Sequence, residues 1–138
     1  MASITLNGSC LCNQLRYQLT GSASNFFHCH CSRCRKASGT GHASNIIFNT
    51  DKIDWQGDTA LLGSYKVPEG KTFTSTFCKN CGSSLPWVVE GAPVAIVPAG
   101  TLDDPVPLKP NARIFWESRS DWCCSDDDIP CFETFPKS

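Results

Sequence analysis

The sequence predicts a mainly β, single-domain fold of antiparallel sheets with zinc-binding knuckles and one short helical turn, and three observations carry this. Apolar and β-branched residues recur in short runs, several of them alternating with polar residues at the period of a half-buried strand. Gly, Pro, Asn and Asp separate those runs, supplying turn chemistry between strands. Cysteines fall in close groups at the ends of the runs, with the spacing of metal ligands.

A chain of 138 residues with 41% hydrophobic and 10% aromatic residues suits one domain, 1–138, with its core at about 8–122 and a tail at 123–138. Twelve basic residues stand against 13 acidic ones, the net charge is -1, and no long basic run occurs, which argues against nucleic-acid binding. The first residues lack a charged segment followed by an apolar one, and no run approaches the roughly 18 apolar residues of a membrane span. A cytoplasmic protein without membrane association is the expectation. Ten cysteines raise the alternative of a secreted disulfide scaffold, but cysteines two apart on a strand share a face and cannot bridge each other without distortion. The spacing favours metal.

In chain order, Cys10 and Cys12 sit at a turn entering a strand at residues 15–19, which Thr20, Gly21 and Ser22 are expected to close. The stretch 27–36 then carries Cys29, Cys31 and Cys34. If its first half is extended, Cys29 and Cys31 project to one side and His28 and His30 to the other. Ser32 is a suitable N-cap for a helical turn over 33–38 that Gly39 can end in a left-handed conformation, and this turn brings Cys34 back towards Cys31. Arg33, Arg35 and Lys36 favour thiolate over thiol.

Strands are predicted at 42–48, at 53–57, and in a hairpin of 61–67 with 71–77 around Pro68, Glu69 and Gly70. The hairpin delivers Cys78 and Cys81 in a Cys-x-x-Cys-Gly knuckle. Further strands are expected at 85–90, at 94–99 as a core run, and at 114–116, with a proline-rich loop before the last. The acidic run Asp126, Asp127, Asp128 reads as a solvated terminal face. Trp55, Trp87, Trp116 and Trp122 read as core or rim packing.

Cys10, Cys12, Cys78 and Cys81 together supply the four sulfurs of a closed structural zinc site. Cys29, Cys31 and Cys34 supply three ligands of a second zinc, whose fourth position is open to water or an incoming thiol, or is closed by His28, His30, His42, Cys123, Cys124 or Cys131. His42 has no evident partner, and Cys123, Cys124 and Cys131 lack ligand spacing and read as packing residues or free thiols. Arg35 and Lys36 are candidate contacts for a substrate carboxylate.

Taken in order, Cys10-x-Cys12, the block from His28 to Gly39, the knuckle from Phe77 to Ser83 and the stretch from Ala99 to Pro105 resemble the glutathione-dependent formaldehyde-activating enzyme family, which includes centromere protein V. The resemblance implies a β-tent fold and two zinc ions. It assigns Cys10, Cys12, Cys78 and Cys81 to a structural zinc and Cys29, Cys31 and Cys34 to the active-site zinc. It also implies a carbon-sulfur lyase acting on the adduct of glutathione and formaldehyde, with a small thiol and a small aldehyde as partners. The chain departs from the pattern at Arg113, where a histidine is expected, and in the tail cysteines. The expected function is therefore a zinc-dependent carbon-sulfur lyase-like enzyme. The alternatives are a non-catalytic zinc-binding interaction module with both metals structural, and a redox or metal sensor using the tail cysteines.

Overall fold

One strand organises the molecule. In the computed structural model, which describes residues 3–70, 72–124 and 129–136, β2 runs from Leu15–Cys29 and borders four other strands. Its first half pairs antiparallel with β1 (Ile4–Ser9) and β4 (Asp54–Gly57); its second half pairs antiparallel with β3 (Ala43–Asn49). The sheet continues through β9 (Val94–Pro98) to β8 (Trp87–Val88), and a second sheet is built from β5 (Leu62–Lys66), β6 (Thr74–Cys78) and β7 (Ser84–Leu85). The predicted mainly β architecture with antiparallel sheets and one short helix is what forms. β10 (Ala112–Ile114) is the exception in direction, pairing parallel to the far end of β2.

Alternation places the core. Leu15, Tyr17 and Leu19 of β2 are buried together with Leu6, Ile46, Phe48, Leu85, Ala95 and Val97. Each of the buried Leu, Ile, Phe and Val side chains among these contributes roughly 1.5–3 kcal/mol by removal from water. Tyr17 is 1% exposed, and its hydroxyl meets Thr101 Oγ1 at 2.6 Å, so its one polar atom is satisfied. Burial pushes its pKa up to about 12 against the pull of that hydrogen bond. Gly8 lies opposite Tyr17 across β1 and β2, where a Cβ would overlap the phenol ring.

Five expectations are corrected. Thr20, Gly21 and Ser22 do not end the strand: the chain continues extended, with a register shift between Ala23 and Asn25. Gly21 serves there as a close-approach residue, because a Cβ would strike the backbone oxygen of Asn49. The strand expected at 85–90 is split at buried Pro86, which has no N–H for a ladder, into β7 in one sheet and β8 in the other. The run 94–99 is not wholly in the core; only Ala95 and Val97 are buried, and Ile96 faces a cavity. The last strand ends at Ile114 because Phe115 is left-handed, with φ 54°, and Trp116–Ser118 forms a 3-10 turn. Trp122 is 74% exposed and packs neither in the core nor on its rim. The acidic run 126–128 lies outside the described residues.

Candidate metal centres

The two predicted knuckles meet. Cys10 begins a tight turn in which Asn13 N–H donates to Cys10 O at 3.0 Å and Asn13 is left-handed, with φ 63°. In the second loop Gly82 N–H donates to Cys78 O at 2.8 Å, and Gly82 takes φ 79° to make that turn. The loops are tied by Leu11 N–H donating to Ser83 Oγ at 2.9 Å. Cys10 and Cys12 sulfurs are 3.6 Å apart, and Cys12 and Cys78 sulfurs 3.8 Å. Sulfurs 2.3 Å from a tetrahedral zinc stand about 3.8 Å from one another, so four cysteines at these separations fit the ion. All four sulfurs lie within 4.8 Å of one another. At two of the four the surroundings favour thiolate: the Ser83 hydroxyl beside Cys81 brings its pKa down to about 5, and Asn80 lowers that of Cys12, whereas Cys78 is raised.

Cys29, Cys31 and Cys34 form the second cluster, also within 4.8 Å. Helix α1 (Ser32–Ser38) starts one residue earlier than predicted, because Cys31 rather than Ser32 is its N-cap. Cys31 Sγ accepts from Cys34 N–H at 3.3 Å, and Gly39, with φ 71°, ends the helix by donating to Arg35 O. Hydrogen bonding from Cys34 brings Cys29 down to about pKa 6, while the same bond and burial push Cys34 strongly up. Cys29 and Cys34 thus share a proton that a cation would displace. No fourth His, Cys, Asp or Glu donor joins this cluster among the described residues. Of the candidate fourth ligands, His30, Cys123 and Cys124 form a group of their own, and Cys131 is exposed.

The histidines are not isolated. His28 and His42 stack with ring centroids 4.0 Å apart, and His30 lies 5.1 Å from His42 and edge-on to Trp116 at 5.0 Å. Arg119 and Arg113 lie over the Trp116 ring, at 4.3 Å and 5.5 Å from its centroid. Burial lowers the pKa of both His28 and His30, followed by the charges of His42 and Arg113. The expectation that His42 lacked a partner is thereby overturned. Cys123 and Cys124, read as packing residues or free thiols, are instead joined as a disulfide beside His30.

Beside Cys34 opens a cavity of about 260 Å³. His42, Ser44, Asn45, Thr76 and Trp87 are among its walls. Of these five, the sequence reading named only His42 as a possible ligand, of the second zinc; for Ser44 and Asn45 the sole signal was proximity in the chain to α1. Arg35 and Lys36, the predicted carboxylate contacts, occupy the last turn of α1 and do not line this cavity. Arg35 Nε is buried without a hydrogen-bond partner, and Lys36 is exposed.

Comparison with known proteins agrees with the geometry. A crystal structure of a Rhodobacter sphaeroides protein superposes with a TM-score of 0.59 at 18% identity, covering 78% of this chain and 98% of its own, which supports the fold. No curated protein sequence matches the chain significantly. The family model for the glutathione-dependent formaldehyde-activating enzyme matches residues 5–118, a span that includes both cysteine clusters, and the chain belongs to that family.

Proposed function

We propose that the protein is a zinc-dependent carbon-sulfur lyase of the glutathione-dependent formaldehyde-activating type, interconverting a glutathione-aldehyde adduct with free thiol and aldehyde. The observation that carries this reading is a three-thiol cluster without a fourth protein donor among the described residues, set beside a cavity. Cys10, Cys12, Cys78 and Cys81 would hold a structural zinc; Cys29, Cys31 and Cys34 would hold the second. Zinc at the triplet, when bound, supplies a Lewis acid that favours the thiolate of an incoming thiol.

The chain's own residues account for the remainder. In cleavage, the adduct's hydroxyl loses its proton, its oxygen forms the carbonyl, and the carbon-sulfur bond breaks with its electron pair going to sulfur. His42, on the cavity wall, is suited to take that proton and return it in the reverse direction. Ser44 Oγ lies 3.4 Å from His42 Nδ1 and orients the ring. Trp87 and Ile96 offer apolar wall, while Thr76 and Asn45 offer polar contacts. Arg35 and Lys36, in the last turn of α1 next to the cavity-lining Cys34 and Ala37, add positive charge on that helix that suits a glutathione carboxylate. A reducing cytoplasm fits this chemistry, since it supplies glutathione and keeps thiols reduced.

The test is aldehyde consumption with and without glutathione in wild type and Cys34→Ser. Thiol-dependent turnover that falls at least about 100-fold in the variant supports the reading. Equal rates in both proteins sink it and favour a non-catalytic zinc module that binds other proteins.

A further inference from the structure

A third cluster stands outside both cysteine centres. The donor atoms of His30, Cys123 and Cys124 lie within 4.8 Å of one another. His30 is 0% exposed and neither of its ring nitrogens has a hydrogen-bond partner. A buried imidazole left this way forfeits its bonds to water without replacement, which is a costly arrangement unless something else takes the lone pair.

The surroundings of the sulfurs point the same way. Cys123 is 5% exposed, and its Sγ sits over Gly41, in space that a Cβ at Gly41 would fill. Cys123 N–H donates to Ser120 O at 3.1 Å, and Cys124 is left-handed, with φ 68°, so the chain turns sharply at the pair. Neighbouring residues of an extended chain face opposite ways; this turn brings both sulfurs to the histidine. One imidazole and two thiolates are a zinc-type donor set.

We propose that His30, Cys123 and Cys124 form a third metal site, for a thiophilic d10 cation such as Zn2+ or Cd2+, open when the two cysteines are reduced and closed when they are joined. Uptake of the cation releases one proton from each thiol, and the two thiolates and one imidazole nitrogen become its ligands. Opening requires a small-molecule thiol of the glutathione class: two such thiols are oxidised to their disulfide, and the Cys123–Cys124 bond takes up the two electrons and two protons. The site is independent of the proposed lyase activity.

The full chain, reduced with TCEP and equilibrated with excess Zn2+, is examined by native mass spectrometry. Wild type is expected to carry one zinc more than the Cys123→Ser/Cys124→Ser variant, and Cys131→Ser to match wild type. The same zinc number in wild type and the double variant overturns the proposal. Cobalt substitution gives a second readout: the added thiolate-to-cobalt absorption in the near ultraviolet should be present in wild type and lost in the double variant. If the double variant does not fold, wild type carries the comparison alone. Two-electron oxidation mapped to the Cys123–Cys124 peptide should lower the count by one zinc, and an unchanged count refutes the site. Because each readout is a difference of one ion, it stands whatever the activity assay on Cys34→Ser returns.

Discussion

Tyr17 is the residue whose environment makes the sharpest prediction. Its folded pKa of about 12 exceeds the ordinary 10, so its contribution to stability is present below pH 10 and is lost as pH rises towards 12. A shift of this size corresponds to roughly 3 kcal/mol over that window. Chemical denaturation of wild type and Tyr17→Phe at pH 8 and pH 11.5 should show a smaller alkaline loss in the variant, with a cost of about 1 kcal/mol at pH 8 from the missing hydrogen bond to Thr101. Equal alkaline losses would mean that Tyr17 is ionised as easily folded as unfolded. At this scale the sequence was legible where chemistry repeats at short spacing, as in Cys29, Cys31 and Cys34, whose sulfurs do converge. It offered His42 and His30 only as candidate fourth ligands of the triplet and did not give their actual neighbours. His28 reaches His42 through the pairing of β2 with β3, while Trp116 and Cys123 reach His30 from 86 and 93 residues further along the chain, and no local pattern encodes contacts of that range.

Among elements, β1 and β2 are held close by a missing side chain. Gly8→Ala would place a methyl against the Tyr17 ring, and the resulting overpacking should cost about 1–3 kcal/mol, measured as a lower denaturation midpoint with an unchanged slope. The two loops of the four-cysteine centre carry a larger stake. Cys12→Ser should release metal and destabilise the fold by several kcal/mol, seen in thermal melts, whereas Cys34→Ser should leave the melt within about 1 kcal/mol of wild type. Equivalent melting losses from both substitutions would make both centres structural. Most strands were legible from alternation and turn residues, and the hairpin of β5 and β6 forms where Pro68 and Gly70 predicted it. Misread strands had tertiary causes. Gly21 reads as a turn residue by itself and becomes a strand residue only when Asn49 is beside it; Pro86 marks a change of sheet that no window on one strand could reveal.

For the whole molecule, the centre of Cys10, Cys12, Cys78 and Cys81 joins the turn between β1 and β2 of the main sheet with the turn between β6 and β7 of the smaller one. Stripping metal under reducing conditions with a strong chelator should therefore lower the melting temperature by roughly 10 °C or more and leave partly unfolded protein by circular dichroism. An unchanged melt would show that the hydrophobic core alone holds the sheets. The overall class could be read from sequence because strand period and cysteine spacing agree. The parallel β10 could not, since three residues carry too little pattern to announce their direction.

Cys12 and Cys78 are 66 residues apart in the chain, yet their sulfurs lie 3.8 Å from each other. On a ribosome adding about 5–20 residues per second, the first pair waits several seconds for the second. During that interval Cys10 and Cys12 are unprotected thiols on a nascent chain, exposed to oxidation or to capture of the wrong cation. An ion held by all four cysteines gains its last ligands only after the second knuckle emerges, so a synonymous pause placed between the two pairs would lengthen that interval without altering the sequence of the finished protein.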